Sequence, residues 1–137
     1  MSTETKARAW SRVELSKSQA EAIDAVTAAL KSEGFGILTR IDLHEAFREK
    51  LDVDFRPYTI LGACNPKLAH AALQEVPEIG LFLPCNVTVE EVDEDQSMVR
   101  FVDPQTVLAS ASASPILASI AADAGARLER VAGALER

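Results

Sequence analysis

Two cysteines, each followed by asparagine, are the residues of this chain best suited to chemistry. They sit in Gly62-Ala63-Cys64-Asn65-Pro66 and in Leu83-Pro84-Cys85-Asn86-Val87, and the 137-residue sequence has no other cysteine. Thiolates attack electrophiles, exchange with disulfides and bind soft metals. Cys64 immediately precedes Asn65-Pro66, a strong helix start with a good N-cap residue and proline at the first helical position. Unpaired amides and the macrodipole at a helix start favour negative charge, so a thiol there is expected to be partly ionised. The plainer alternative is a small buried residue at a strand end. Cys85 shares parity with Leu81, Leu83, Val87 and Val89, and core packing is its default role.

His70 lies in the helix opened by Asn65-Pro66, on one face with Leu73. It could move a proton or ligate a metal, although a solvated helix histidine is the simpler reading. His44 reads as exposed in a first helical turn. A structural zinc site needs paired ligands two to four residues apart, and neither Cys-x-x-Cys nor His-x-x-x-His occurs. A soft-metal site assembled in space from Cys64, Cys85 and His70 stays open, as does a reversible disulfide between the cysteines. Asn65 is explained by capping. Asn86 offers two donors and an acceptor beside a bulge expected at Pro84. Arg56 and Tyr58 could hold an anionic or aromatic ligand, or form a surface ion pair and a half-buried tyrosine. The run Glu90, Glu91, Asp93, Glu94, Asp95 lacks the glycine and ligand spacing of a calcium loop and reads as a solvated turn.

These residues need a scaffold, and the hydrophobic pattern supplies one. Residues 1–7 read as a flexible tail and 8–137 as a single domain. A first strand covers Arg8 to Leu15, with Trp10, Val13 and Leu15 inward. Ser18-Gln19-Ala20-Glu21 forms a capping box for a helix closed by Gly34. Phe35 to Ile41 is a strand; Asp42 caps the next helix, with Glu45 three residues on. Tyr58 to Cys64 is the third strand, followed by a helix to about Glu75. Gly80 to Glu91 is a long strand interrupted at Pro84, and Met98 to Val102 returns after the acidic turn. Asp103-Pro104 begins a short helix and Ser114-Pro115 a long last one. The last helix has apolar residues Leu117, Ala121, Ala124, Leu128, Val131 and Leu135 at heptad-like spacing. The order predicts an α+β fold: a mixed five-stranded sheet with helices packed on it and a long C-terminal helix.

Composition narrows the function. Apolar content of 47% and charged content of 26% are those of a soluble globular domain. A net charge of −7 disfavours nucleic acid and anionic membrane surfaces as partners. The polar start Met1-Ser2-Thr3-Glu4 is not a secretory signal, so a cytoplasmic location with reduced cysteines is expected.

The segments Gly34-Phe35-Gly36-Ile37-Leu38-Thr39, Val53-Asp54-Phe55-Arg56-Pro57-Tyr58, Ile60-Leu61-Gly62-Ala63-Cys64-Asn65-Pro66, Leu68-Ala69-His70 and Ile79-Gly80-Leu81-Phe82-Leu83-Pro84-Cys85-Asn86-Val87 together resemble domain-of-unknown-function family 302. Asp103-Pro104 fits its pattern, while Arg40 stands where many relatives carry an acidic residue. The resemblance is dense over residues 34–104. It implies a compact α+β fold, commonly dimeric, in bacterial and archaeal cytosolic proteins, and brings no established reaction or cofactor. Carried over to this sequence, its site would comprise Cys64, Asn65, His70, Cys85 and Asn86. The leading expectation is a ligand-binding homodimer joined by the last helix or an edge strand, with no catalysis or only weak catalysis. The alternatives are a redox enzyme or sensor, with Cys64 as nucleophile and Cys85 as resolving thiol, and a soft-metal protein using the same pair.

Overall fold

A computed structural model describes residues 9–136, so the expected tail over residues 1–7 lies outside the described residues. The strands are β1 (Trp10–Leu15), β2 (Gly36–Asp42), β3 (Tyr58–Cys64), β4 (Cys85–Asp93) and β5 (Gln96–Val102). The helices are α1 (Gln19–Ser32), α2 (Leu43–Leu51), α3 (Pro66–Glu75), α4 (Pro104–Ala109) and α5 (Pro115–Leu135), with a 3-10 helix at Pro77–Phe82. The α+β architecture with five strands and a long last helix is as expected.

The sheet is antiparallel throughout, not mixed. Its order is β1-β5-β4-β3-β2, and every neighbouring pair is antiparallel. Helical connections suggest parallel neighbours only when the strands they join lie side by side in one direction. Here α1 carries the chain across the whole sheet, from one edge strand to the other. Helices α2 and α3 are excursions between strands that pair antiparallel.

Local signals explain most boundaries. Ser18 and Glu21 form the capping box of α1. The helix closes with Gly34 at φ +87°, where the Gly34 N–H donates to Lys31 O at 3.1 Å and the Phe35 N–H to Leu30 O at 3.0 Å, a Schellman closure. Asn65 and Ser114 cap α3 and α5, each with proline in the first turn. Asp42 makes no side-chain cap bond to α2, because its carboxylate is engaged by Thr59 and Arg40. The long strand expected from Gly80 does not form. Proline cannot donate to a ladder, Pro77 opens the 3-10 helix, and β4 begins only after Pro84. The bulges of the sheet lie at Ile37/Thr39 and Glu91/Asp93, not at Pro84.

All the helical packing that builds the main core is on one face of the sheet. Val13, Leu15, Leu61, Ala63, Val87, Val89, Val99 and Phe101 meet Ala22, Ile23, Val26 and Leu30 of α1 and Leu128 and Val131 of α5. Trp10 has the opposite parity to Val13 and Leu15 and is not an inward residue. A second cluster joins Ala72, Ile79, Leu108, Leu117 and Ala121 beyond one end of the sheet. Helix α5 therefore belongs to both clusters. The heptad-like stripe read in the sequence is buried against the rest of the chain at Leu117, Ala121, Ala124, Leu128 and Val131.

Candidate functional site

The two thiols meet where the two core clusters abut. Strands β3 and β4 are neighbours, and Ala63 lies opposite Cys85 in their ladder. Cys64 is thus one residue beyond Cys85's partner, at the strand end from which α3 departs. Both cysteines are reduced and half-buried, and both line one cavity of about 30 Å³. A single water needs roughly 10–15 Å³ of such space. Phe35, Ala63, Leu68, Ala69, Ala72, Pro84, Leu108, Ile120 and Ala124 form most of the remaining wall. Alanine at four of these positions leaves the space that larger side chains would close. The lining is almost wholly apolar, so the thiol groups and the Asn65 amide supply its side-chain polarity.

This environment protonates the thiols. Burial raises the Cys64 pKa above the usual thiol value, against the expectation of an ionised thiol at a helix start. Desolvation outweighs the helix here because Asn65 stands between Cys64 and the amides of α3 and takes the Leu68 N–H itself. Cys85 is pushed up to about 11, by burial first and then by the nearby Cys64. The mutual effect is itself a sign of their proximity.

The other sequence-predicted residues separate from this pair. Asn65 reaches the cavity wall, but its polar atoms are engaged. Its oxygen accepts the Leu68 N–H at 3.3 Å, and its Nδ2 donates to Glu33 O at 3.4 Å. It clamps the end of α1 to the start of α3. His70 is exposed on α3 and does not line the cavity. Asn86 is exposed on a regular part of β4, opposite Gly62, on the sheet face away from the main helical layer. Among the described residues, no three of His, Cys, Asp and Glu gather where they could hold a metal ion.

Two polar clusters were not anticipated. At the far end of the sheet, Gln19 Nε2 donates to the buried Thr59 hydroxyl at 2.7 Å and to Val89 O at 3.2 Å. The Thr59 hydroxyl in turn donates to Asp42 at 2.7 Å. Burial alone would raise the Asp42 pKa, but Thr59, Arg40 and His44 together hold it below the usual carboxylate range. His44 is half-buried rather than exposed, and its Nδ1 accepts the Tyr58 N–H at 3.0 Å, closing the start of β3. The other cluster is on the open sheet face. Glu90 is buried there, not part of a solvated turn, and accepts from Arg56 and from Arg100, the latter at 2.6 Å. Burial would raise its pKa, yet the two guanidinium groups bring it below the ordinary glutamate value. Thr59 has a faint sequence signal, as a polar residue at the parity of Leu61 and Ala63. Glu90 has none, since it opens an acidic run.

Residues 11–135 match the family described as Domain of unknown function DUF302, a wider span than the residue 34–104 motifs carry. No functionally curated protein matches the chain. A crystal structure of an uncharacterized conserved DUF302 protein from Bacillus stearothermophilus is 32% identical in sequence, with a TM-score of 0.79. The likeness covers 93% of this chain and 96% of that one. With the family match spanning nearly the whole domain and the fold shared with a solved member, the chain belongs to the DUF302 family.

Proposed function

We propose that this protein binds a compact apolar molecule, or the apolar end of a larger one, in the cavity between Cys64 and Cys85. The observation that carries the reading is the cavity itself. It lies at the seam of two core clusters, walled by alanines, with the two cysteines of the chain on its surface. Apolar pockets with a few polar groups are the usual form of a small-molecule site. Binding is the favoured activity, because burial raises the pKa of both thiols and the described residues that line the cavity include no His, Asp, Glu or Lys. Asn65 maintains the wall, and neither His70 nor Asn86 lines the cavity.

Dimethyl sulfide and xenon are suitable probes of size and polarity. Each should raise the unfolding temperature of the wild type by mass action. Ala69→Leu or Ala124→Leu, which fill the cavity, should abolish the shift while the folded circular dichroism persists. Equal shifts in wild type and filled variants would refute the reading.

The sharing of one cavity by both thiols favours a second reading, a soft monovalent cation held between them. Metal binding would itself deprotonate the sulfurs. Silver(I) titration with proton-release calorimetry distinguishes it: one equivalent bound with thiol protons released, and no binding after Cys64→Ser with Cys85→Ser, is the expected signature. Thiol redox chemistry is the least favoured of the three, since the attacking species is the thiolate and burial opposes it at both positions.

A further inference from the structure

We propose that the occupant of the cysteine cavity is an unbranched aliphatic molecule with an uncharged hydroxyl or amide head, its tail at Cys64 and Cys85 and its head in a groove between α4 and α5. The proposal rests on the reading of the cavity as a binding site and extends it to the whole ligand. The observation that carries it is a shared wall. A groove of about 310 Å³ lies between α4, α5 and the loop that joins them, with Gln105, Ser112, Ser114, Leu117 and Ala121 in its lining. Leu108 of α4, only 5% exposed, lines both this groove and the cavity. On α5 the two linings interleave: Leu117 and Ala121 belong to the groove, Ile120 and Ala124 to the cavity. One leucine side chain thus stands between the two spaces. A leucine changes rotamer without moving its backbone, so Leu108 can admit a chain one carbon wide and close around it.

The two spaces divide the ligand between them. The cavity, at about 30 Å³, has the room of roughly two waters, which suits the last carbons of a chain. The groove is far larger and carries uncharged polarity. Gln105 is exposed and offers two donors and an acceptor. Ser112 Oγ accepts the Ser114 N–H at 3.1 Å, which leaves its hydroxyl proton for a ligand oxygen. Ser114 is fully engaged, since its hydroxyl accepts the Leu117 N–H at 3.2 Å and donates to Glu75 at 3.2 Å. No charged side chain is among the described residues that line the groove, so a charged head finds no partner there. An anionic head also meets the Glu75 carboxylate behind Ser114 and the field of a chain of net charge −7.

NMR titration of the full chain, with methyl-labelled alanine and leucine, tests this with xenon, 1-alkanols and hexanoate as probes. Xenon should shift the Ala69 and Ala124 methyls and leave the Ser112 amide unmoved. 1-Hexanol should shift those methyls, the Leu108 methyls and the Ser112 amide along one binding curve. Hexanoate should bind at least about tenfold more weakly than 1-hexanol. From 1-propanol to 1-hexanol the affinity should rise about threefold to fourfold per methylene. Ala69→Leu, which fills the cavity, should flatten that rise, and Ala124→Leu serves if circular dichroism shows the first variant unfolded. Gln105→Leu with Ser112→Ala should weaken 1-hexanol about fivefold and leave xenon binding unchanged. Hexanoate binding as tightly as 1-hexanol would overturn the proposal. So would xenon in the cavity with 1-hexanol confined to the groove, although the cavity would then remain a binding site. Cavity methyls that respond to neither probe would overturn both readings.

Discussion

Replacing Glu90 by glutamine separates the charge of this residue from its shape. The carboxylate side chain is only 7% exposed, whereas its partners Arg56 and Arg100 are 52% and 32% exposed. A hydrogen bond to a charged group contributes about 1.5–3 kcal/mol when well buried. The exposure of Arg56 brings its share near the ~0–1 kcal/mol of a surface pair. Arg100, less exposed, retains more. Glu90→Gln should therefore cost about 2 kcal/mol at pH 7, below the 3–5 kcal/mol of a fully buried broken pair, because both arginines can turn to water. The pH dependence is the sharper readout. The folded-state pKa of Glu90 is depressed, so its stabilisation is complete above the unfolded glutamate value and is lost as pH falls through the folded value. Below that point the wild type carries a neutral carboxylic acid, close in shape to the amide, and the two proteins should converge. Urea unfolding at one protein concentration, at neutral pH and again well below the usual carboxylate range, measures both quantities. A neutral-pH difference under about 0.5 kcal/mol would refute the reasoning, since that is the scatter of an ordinary surface substitution. A difference of the same size at both pH values would also refute it, by showing that the loss is steric.

Three further outcomes follow from the geometry. A Cβ on Gly62 would stand 2.2 Å from Thr39 Oγ1 and 2.7 Å from Pro84 Cγ. Gly62→Ala should thus cost about 1–3 kcal/mol in urea unfolding, and Thr39→Ala in the same chain should recover part of it. Asn65→Ala removes the cap of α3 and its tie to Glu33 O, for a loss of about 1 kcal/mol, and native-state hydrogen exchange should rise at the Leu68 amide. Alkylation by iodoacetamide at pH 7 should be slower at both cysteines than at a free thiol, and slowest at Cys85, with full reactivity restored in denaturant. A Cys64 that reacts faster than a free thiol would restore the nucleophile reading.

The element sequence was legible because its punctuation is local. Ser18 with Glu21, Gly34, Asn65-Pro66, Asp103-Pro104 and Ser114-Pro115 act on their own backbone neighbours, and they mark helix ends in the structure. Strand pairing is not local. Nothing in the chain states that α1 spans the sheet, so alternation of helix and strand suggested parallel pairs that do not occur. The same limit hid the polar clusters. Glu90 is a buried anchor only because Arg56 and Arg100 arrive from other strands and loops, and Thr59 is satisfied by Gln19 from the start of α1. Asp42 carries the marks of a helix cap, yet its carboxylate is taken by Thr59 of β3 and by its own strand neighbour Arg40 instead of the helix amides.

The two Cys-Asn pairs were separable by period alone. Successive residues of a strand point to opposite faces, so a cysteine packed among Val87 and Val89 excludes its neighbour Asn86 from the same face. The structure obeys this, with Cys85 on the cavity and Asn86 on the open sheet. Helical spacing acts on His70 in the same way. Leu68, Ala69 and Ala72, at i, i+1 and i+4 of α3, share the side that faces the cavity, and His70 is turned away from it and exposed. Asn65 does line the cavity, but as a side chain that caps a helix it has its acceptor occupied. What neither period nor capping can supply is the juxtaposition of Cys64 with Cys85. Their sequence positions are 21 residues apart, and only the antiparallel register of β3 on β4, with Ala63 opposite Cys85, brings the two thiols to one wall.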